Sequence, residues 1–351
     1  MPDIRGTFPD AVTYQDSGVN IDEAQRSLRA VTSEIRSTYN DRVLGGIGGF
    51  GGLLAADFSG YDRPILVSSI DGVGTKTKVA AMVPDYSNLG HDIVNHCAND
   101  ILCQGAKPLF FLDYFGCSTL SGPTFEQIVG GMAAACRELG MPLIGGETAE
   151  MPGVYLDGEL DVVGTIIGLV DYEKRLPRAK VQPGDAVVGI ASNGLHTNGF
   201  SLARRVLFEV GGLSVRDELE GLDGTLGEVL LKPHRCYVQP LLPLIEDPEV
   251  YALAHITGGG LYDNIPRVLP AGLRVLIEKH AWTPPEIFQT IQHIGNVPEV
   301  DMYRTFNMGI GMVALVSRFN AAAFVNALNE AGEHAAVIGE VQAGSHDVQI
   351  I

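Results

Sequence analysis

Asp71, Gly72, Gly74, Thr75 and Lys76 put a carboxylate, two glycines, a hydroxyl and an ammonium within six positions of one another. Glycine lets backbone N–H groups approach an anion closely, because no Cβ stands in the way. A lysine meets phosphate as a point charge, and an aspartate suits Mg2+, which takes carboxylate together with phosphate oxygens. This set can handle a nucleotide phosphate; the plainer alternative is an ordinary Asp-Gly turn. The preceding apolar run, residues 65–70, predicts a buried strand that ends at Asp71.

Related groupings recur along the chain. Residues 142–144 predict a short strand leading into a loop, Gly145-Gly146-Glu147-Thr148-Ala149-Glu150, where glycines again precede a carboxylate and a hydroxyl. Asn99-Asp100 falls on the helix predicted over 89–104, where it is either a second Mg2+ ligand or part of a solvated face. Asp113 sits inside an apolar strand over 108–116, and a buried acid needs a partner. Gly46, Gly48 and Gly51 satisfy G-x-G-x-x-G, yet no strand precedes them and no adequate helix follows, so a phosphate cover fits better than a dinucleotide fingerprint. His91 and His96 are five apart, which is wrong for a helical zinc pair and reads as a helix start and a satisfied half-buried ring. His196 lies in a polar loop feeding a helix, as an acid–base group, an electrostatic ligand or a structural hydrogen-bonding partner. Thr257, Gly258, Gly259 and Gly260 lead into another expected helix start.

The elements that must position these groups alternate. Helices are expected over 23–37, 124–139, 201–210 and 321–331, and strands over 161–170, 186–191 and 336–341, with Tyr303 to Val313 read as loop then strand. Residues 1–13 read as a loose arm. A charged stretch at 171–184 marks a domain boundary, which divides the 351 residues into 1–174 and 175–351. With 42 acidic against 24 basic residues the formal charge is −18, which excludes a general nucleic-acid or anionic-membrane surface. Five cysteines without a C-x-x-C pair, no signal-type segment and no long apolar run point to a reduced, cytoplasmic setting.

Taken together, YQDSGVNID, GGIGGFGG, DGVGTK, CANDI, PLFFLDY, GGETAEMPG, GLHTNG, ITGGGLYDNIPRVLP and MYRTFNMGIGM resemble, collinearly over nearly the whole chain, the aminoimidazole ribonucleotide synthetases, or phosphoribosylformylglycinamidine cyclo-ligases. The resemblance implies an α+β fold of two domains. The N-terminal mixed sheet would pair into a β-barrel in a homodimer, and the C-terminal half would form an α/β sandwich. It also implies ATP- and Mg2+-dependent closure of an imidazole ring on a small ribonucleotide, with Asp71, Lys76 and His196 as catalytic groups. Asp71, Asp100 and Glu147 would surround Mg2+. Gly45, Gly46, Gly48, Gly49, Gly51, Gly72, Gly74, Thr75 and Asn99 would contact ATP. Glu150, Thr197, Asn198, Thr257 to Gly260, Asn264 and Asn307 would face the ribonucleotide. The first motif departs from the family at Gln15 and Asn20, which replace a basic and an acidic residue. Among phosphotransferases of the same superfamily, selenophosphate synthetase needs an early reactive cysteine, whereas the first here is Cys97. Formylglycinamidine synthetase needs a longer chain, and thiamine-phosphate kinase lacks the GGETAEMPG and NIPR motifs. A nucleotide-binding regulatory subunit without turnover is the rival of a different class.

Overall fold

A computed structural model describes residues 13–351, so the arm expected over 1–13 lies, Thr13 apart, outside the described residues. The first half contains α1 (Ile21–Arg36), β1 (Pro64–Gly72), α2 (Lys76–Met82), α3 (Leu89–Leu102), β2 (Lys107–Cys117), α4 (Gly122–Glu138), β3 (Leu143–Glu150) and β4 (Leu160–Asp171). The strands form one mixed sheet, ordered β1-β4-β2-β3, in which only β2 and β3 run parallel. Period-2 alternation sends Ile65, Val67, Ser69 and Asp71 to the helix-covered face and leaves Leu66, Ser68 and Ile70 exposed on the other. Close packing of α3 rests on missing side chains. A Cβ at Gly164 would stand 2.2 Å from Phe111 and 2.8 Å from Ile93, and one at Gly90 would meet the Ile128 carbonyl at 2.2 Å. At the N-terminus Asn20 caps α1, its side chain accepting from the Glu23 amide, as an aspartate would.

The second half contains β5 (Ala186–Ala191), α5 (Phe200–Arg204), α6 (Leu226–Leu230), α7 (Val238–Leu241), β6 (Val250–His255), α8 (Gly260–Asn264), β7 (Leu273–Ile277), α9 (Glu286–Gly295), α10 (Glu299–Thr305), β8 (Ile310–Val316), α11 (Ala321–Glu330), β9 (Ala335–Ala343) and β10 (Val348–Ile350). Its six strands are ordered β10-β7-β9-β5-β8-β6. β6 and β8 are buried throughout and β5 at all but its last residue, which explains their unbroken apolar sequences. The fold is mixed α/β with two sheets, and neither closes into a barrel among the described residues.

Three sequence expectations change. The strand over 65–70 is half-buried, not buried, because only alternate residues face the helices and Leu66 and Ile70 are exposed. GGETAE is strand and not loop, because β3 keeps pairing with β2 as far as Cys117 and Glu150. Tyr303 to Thr305 ends a helix, α10, that packs beside α8.

Candidate functional site

The two halves are joined by one face of α3. Asn88, Asp92, Asn95 and Asn99 recur at helical spacing, and each bonds the extended segment 231–237. Asn95 donates to the His234 carbonyl at 2.8 Å; Asn99 donates to the Arg235 carbonyl at 2.8 Å and accepts from the Tyr237 amide at 2.9 Å. Asn99 is therefore buried and fully used, not free for a nucleotide. Lys76 shares this role. Its side chain is 0% exposed, its amine lies 2.8 Å from each Asp92 oxygen, and it donates to the Lys232 carbonyl at 2.7 Å. The sequence reading of Lys76 as a phosphate ligand does not match this placement, because an ammonium buried between Asp92 and the Lys232 carbonyl is closed to a ligand.

Next to this zipper, side chains of both halves form a chain of hydrogen bonds. His96 Nδ1 lies 2.8 Å from Thr197 Oγ1, which is 3.2 Å from His234 Nδ1. His234 Nε2 lies 2.9 Å from His255 Nε2, and His255 Nδ1 lies 2.8 Å from Asp100 Oδ1. Ser69 donates to the other Asp100 oxygen at 2.8 Å, and His96 Nε2 stands 2.9 Å from Asp71 Oδ2. All three rings are buried, while the carboxylates at the ends reach solvent, with 42% of the Asp71 side chain and 30% of Asp100 exposed. Burial works to raise both carboxyls. His96 and the Gly72 amide outweigh it at Asp71, and His255, His96 and Ser69 bring Asp100 down to about 2. Burial lowers His255, against the pull of Asp100, and holds His234 well below its ordinary value.

Other expected site residues divide between exposed and structural positions. Gly74 and Thr75 are exposed; the Thr75 hydroxyl lies 3.1 Å from that of Ser201 in the second half, and a Cβ at Gly258 would stand 3.5 Å from Asn198 Nδ2. His196 is buried, stacked on His234 at 4.0 Å, and its Nε2 accepts from the Asn193 and Arg235 amides. Burial holds its pKa well down, and its Nδ1 has no hydrogen-bond partner among the described residues. Asn264 donates to the Thr257, Gly258 and Gly260 carbonyls, and Asn307 ties Gly194, Ser192 and Gly309 together. Both asparagines shape loops. Thr197 is likewise spent within the network, and Glu150 accepts from the Asn20 and Leu120 amides, which docks the N-terminal motif.

Glu147 does not join Asp71 and Asp100. Asp71 pairs in register with Gly164, Gly164 with Asp113, and Asp113 with Gly146. Glu147 is therefore three strand spacings away, roughly 14 Å, and points to the opposite face. The Gly45–Gly52 loop also lies at the β3 edge, where Gly52 abuts the Ile144 carbonyl and the loop borders a cavity of about 1190 Å³. Asp113 opens into this cavity, and burial pushes its carboxyl up to about 7.

The sequence reading passed over His234 and His255 and dismissed His96 as a satisfied ring. The run of Asn and Asp along α3 was the available signal, since so polar a helix face beside an apolar one needs a polar partner.

Comparison with known proteins assigns the chain. The family model for AIR synthase related protein, N-terminal domain, matches residues 59–170, and that for the C-terminal domain matches residues 182–351. The phosphoribosylformylglycinamidine cyclo-ligase of Alkaliphilus oremlandii is 47% identical over 337 residues, covering 96% of this chain and 99% of its own. The chain belongs to the phosphoribosylformylglycinamidine cyclo-ligase family. Among solved structures, thiamine-monophosphate kinase from Stenotrophomonas maltophilia shares the fold at TM-score 0.65 and 19% identity, covering 92% of this chain and 95% of that one. Hydrogenase maturation protein HypE in complex with ATP does so at TM-score 0.60 and 20% identity, covering 95% and 92%.

Proposed function

We propose that this cyclo-ligase closes the imidazole ring of aminoimidazole ribonucleotide from formylglycinamidine ribonucleotide, using ATP and releasing ADP and phosphate in purine biosynthesis. Phosphorylation of the formyl oxygen turns a poor leaving group into phosphate. The amidine nitrogen then attacks that carbon, and the ring closes as phosphate departs. No nucleophilic side chain is required; the work is positioning and charge stabilisation. The observation that carries this reading is the pair of partly exposed, ionised carboxylates, Asp71 and Asp100, set against buried histidines of the two halves.

This pair fits Mg2+, because Asp71 and Asp100 are ionised and partly open to solvent. When bound, the ion neutralises charge on the transferring phosphoryl group. Asp71 and Asp100 hold it, and the exposed backbone of Gly74 and Thr75 receives phosphate oxygens. Asn198, Thr257 and Gly258 to Gly260 form the wall toward the ribonucleotide. In this reading residues 1–174 form the nucleotide-handling unit and residues 175–351 complete the cleft. The protein works as a homodimer: Leu66 and Ile70 are 61% and 67% exposed on the uncovered sheet face, which suits burial against a second copy. The five free cysteines suit the cytoplasm.

The test is ADP release from purified protein with Mg-ATP, with and without formylglycinamidine ribonucleotide. ADP and aminoimidazole ribonucleotide appear together and only with that substrate, and Asp71→Asn abolishes turnover while leaving the melting curve intact. Tight ATP binding without substrate-dependent ADP refutes the reading in favour of a regulatory subunit.

A further inference from the structure

The charged stretch at 171–184 takes no part in the site described above, yet it borders a cavity of about 480 Å³. Tyr61, Leu169 and Val170 line this cavity from the first half of the chain, and Leu242, Ile245 and Pro248 line it from the second. It lies far from Asp71 and Asp100. Asp171, on its wall, pairs in register with Pro64, whereas Asp71 sits seven residues further along β1, roughly 23 Å away. In the second half Pro248 precedes β6, while His255, which meets Asp100, ends it.

Four cations, Lys107, Lys174, Arg175 and Lys180, share the cavity wall with four acids. Among the described residues the three lysines form no ion pair and no side-chain hydrogen bond. Arg175 is set in place: its Nε donates to the Tyr172 carbonyl at 2.9 Å, and its guanidinium stands 3.8 Å from the centre of the Tyr172 ring. Its terminal nitrogens remain to donate elsewhere. Three of the acids are engaged. Asp171 accepts from the Asp62, Arg63 and Glu173 amides, Glu173 pairs with Arg63 at the surface, and Asp247 accepts from the Glu249 amide and the Asn320 side chain. Only Glu246 lacks such a bond among the described residues, so the uncommitted charge on the wall is positive, in a chain of formal charge −18. Like charges gathered around a concave surface attract an anion.

We propose that this cavity is a second ligand site, remote from the reaction, which takes a ribonucleoside 5′-monophosphate. Its volume falls within the roughly 300–1,000 Å³ of small-molecule sites, which pair apolar walls with a few placed polar groups. Lys107, Lys174 and Lys180 meet the phosphate as point charges, and the Arg175 fork offers it paired donors. The Tyr61 ring and the aliphatic walls take the base, while Glu246 accepts from a sugar hydroxyl. Because the wall is drawn from both halves, a bound nucleotide ties them together and raises the melting temperature.

The test is titration calorimetry of the full chain with adenosine 5′-monophosphate, after the catalytic site has been filled with Mg2+ and a non-hydrolysable ATP analogue. The expected result is one bound monophosphate per chain, with adenosine and inorganic phosphate each at least about tenfold weaker. Lys107→Ala combined with Lys180→Ala weakens the monophosphate at least about tenfold and leaves kcat and the Mg-ATP KM unchanged in its absence. Both lysines are exposed, and the melting curve of the variant without ligand verifies its fold. The comparison of ligands on the unsubstituted protein stands even if the variant folds poorly. Binding seen only when the ATP analogue is left out overturns the inference, since the monophosphate then occupies the catalytic site. Binding that the two substitutions leave unchanged, or inorganic phosphate bound as tightly as the nucleotide, overturns it as well. None of these outcomes touches the cyclo-ligase reading, which ADP release tests separately.

Discussion

Replacing Lys76 by methionine separates a phosphate ligand from a structural ion pair. Methionine keeps most of the buried volume but deletes the ammonium that bridges both Asp92 oxygens and the Lys232 carbonyl. Breaking a buried pair from one side costs about 3–5 kcal/mol, because the remaining charge stays buried without its partner. The unpaired Lys232 carbonyl adds about 1 kcal/mol or more. Asp92 loses part of that penalty by taking up a proton, a direction in which burial already pushes it. The net expectation is about 4 kcal/mol. At roughly 2–4 °C per kcal/mol for a cooperative unit of this size, the melting temperature falls by about 10 °C. Scanning calorimetry on the purified variant reads this directly, and Mg-ATP KM is measured in parallel below the transition. Lys76→Met with Asp92→Leu recovers only part of the loss: no buried charge remains, but the His234 amide loses its acceptor. A variant that melts within about 1 °C of the parent while its Mg-ATP KM rises refutes the structural account and returns Lys76 to the phosphates.

Asp113 gives a pH signature. Its folded pKa of about 7 lies above the reference 3.8, so its favourable contribution is complete below about 3.8 and is lost as pH rises through about 7. Three units correspond to at most about 4 kcal/mol, reduced by water in the adjoining cavity. Asp113→Asn is expected to be more stable than the parent at pH 8 with the advantage vanishing near pH 4; parallel curves of melting temperature against pH refute this. Leu66→Glu combined with Ile70→Glu places charge on the uncovered sheet face, and light scattering is expected to report a monomer. An unchanged mass for this variant removes that face from the dimer interface.

Much of the chemistry was legible along the chain. The DGVGTK strand end, the Asn-Asp pair on α3 and the glycine runs each declared themselves through local composition, because turns, strand ends and anion loops are governed by a few adjacent residues. The helices and strands that were expected followed from periodicity for the same reason, whereas most of β3 and the helix α10 did not. What only the tertiary structure decided is which groups share a place. Strand order β1-β4-β2-β3 put Glu147 three strands from Asp71, although both stand in similar glycine–acid motifs. The bonding of α3 to segment 231–237 consumed Asn99 and Lys76, and brought His234, from a stretch with no motif of its own, into line with His96 and His255. The sequence displays the donors and acceptors of Lys76, Asn99 and His96, but whether each is free depends on partners more than a hundred positions away in the cases of Asn99 and His96, and on both near and distant ones for Lys76. Burial then turns that pairing into structure, since a buried polar group must be matched and its partner is fixed only when the chain folds.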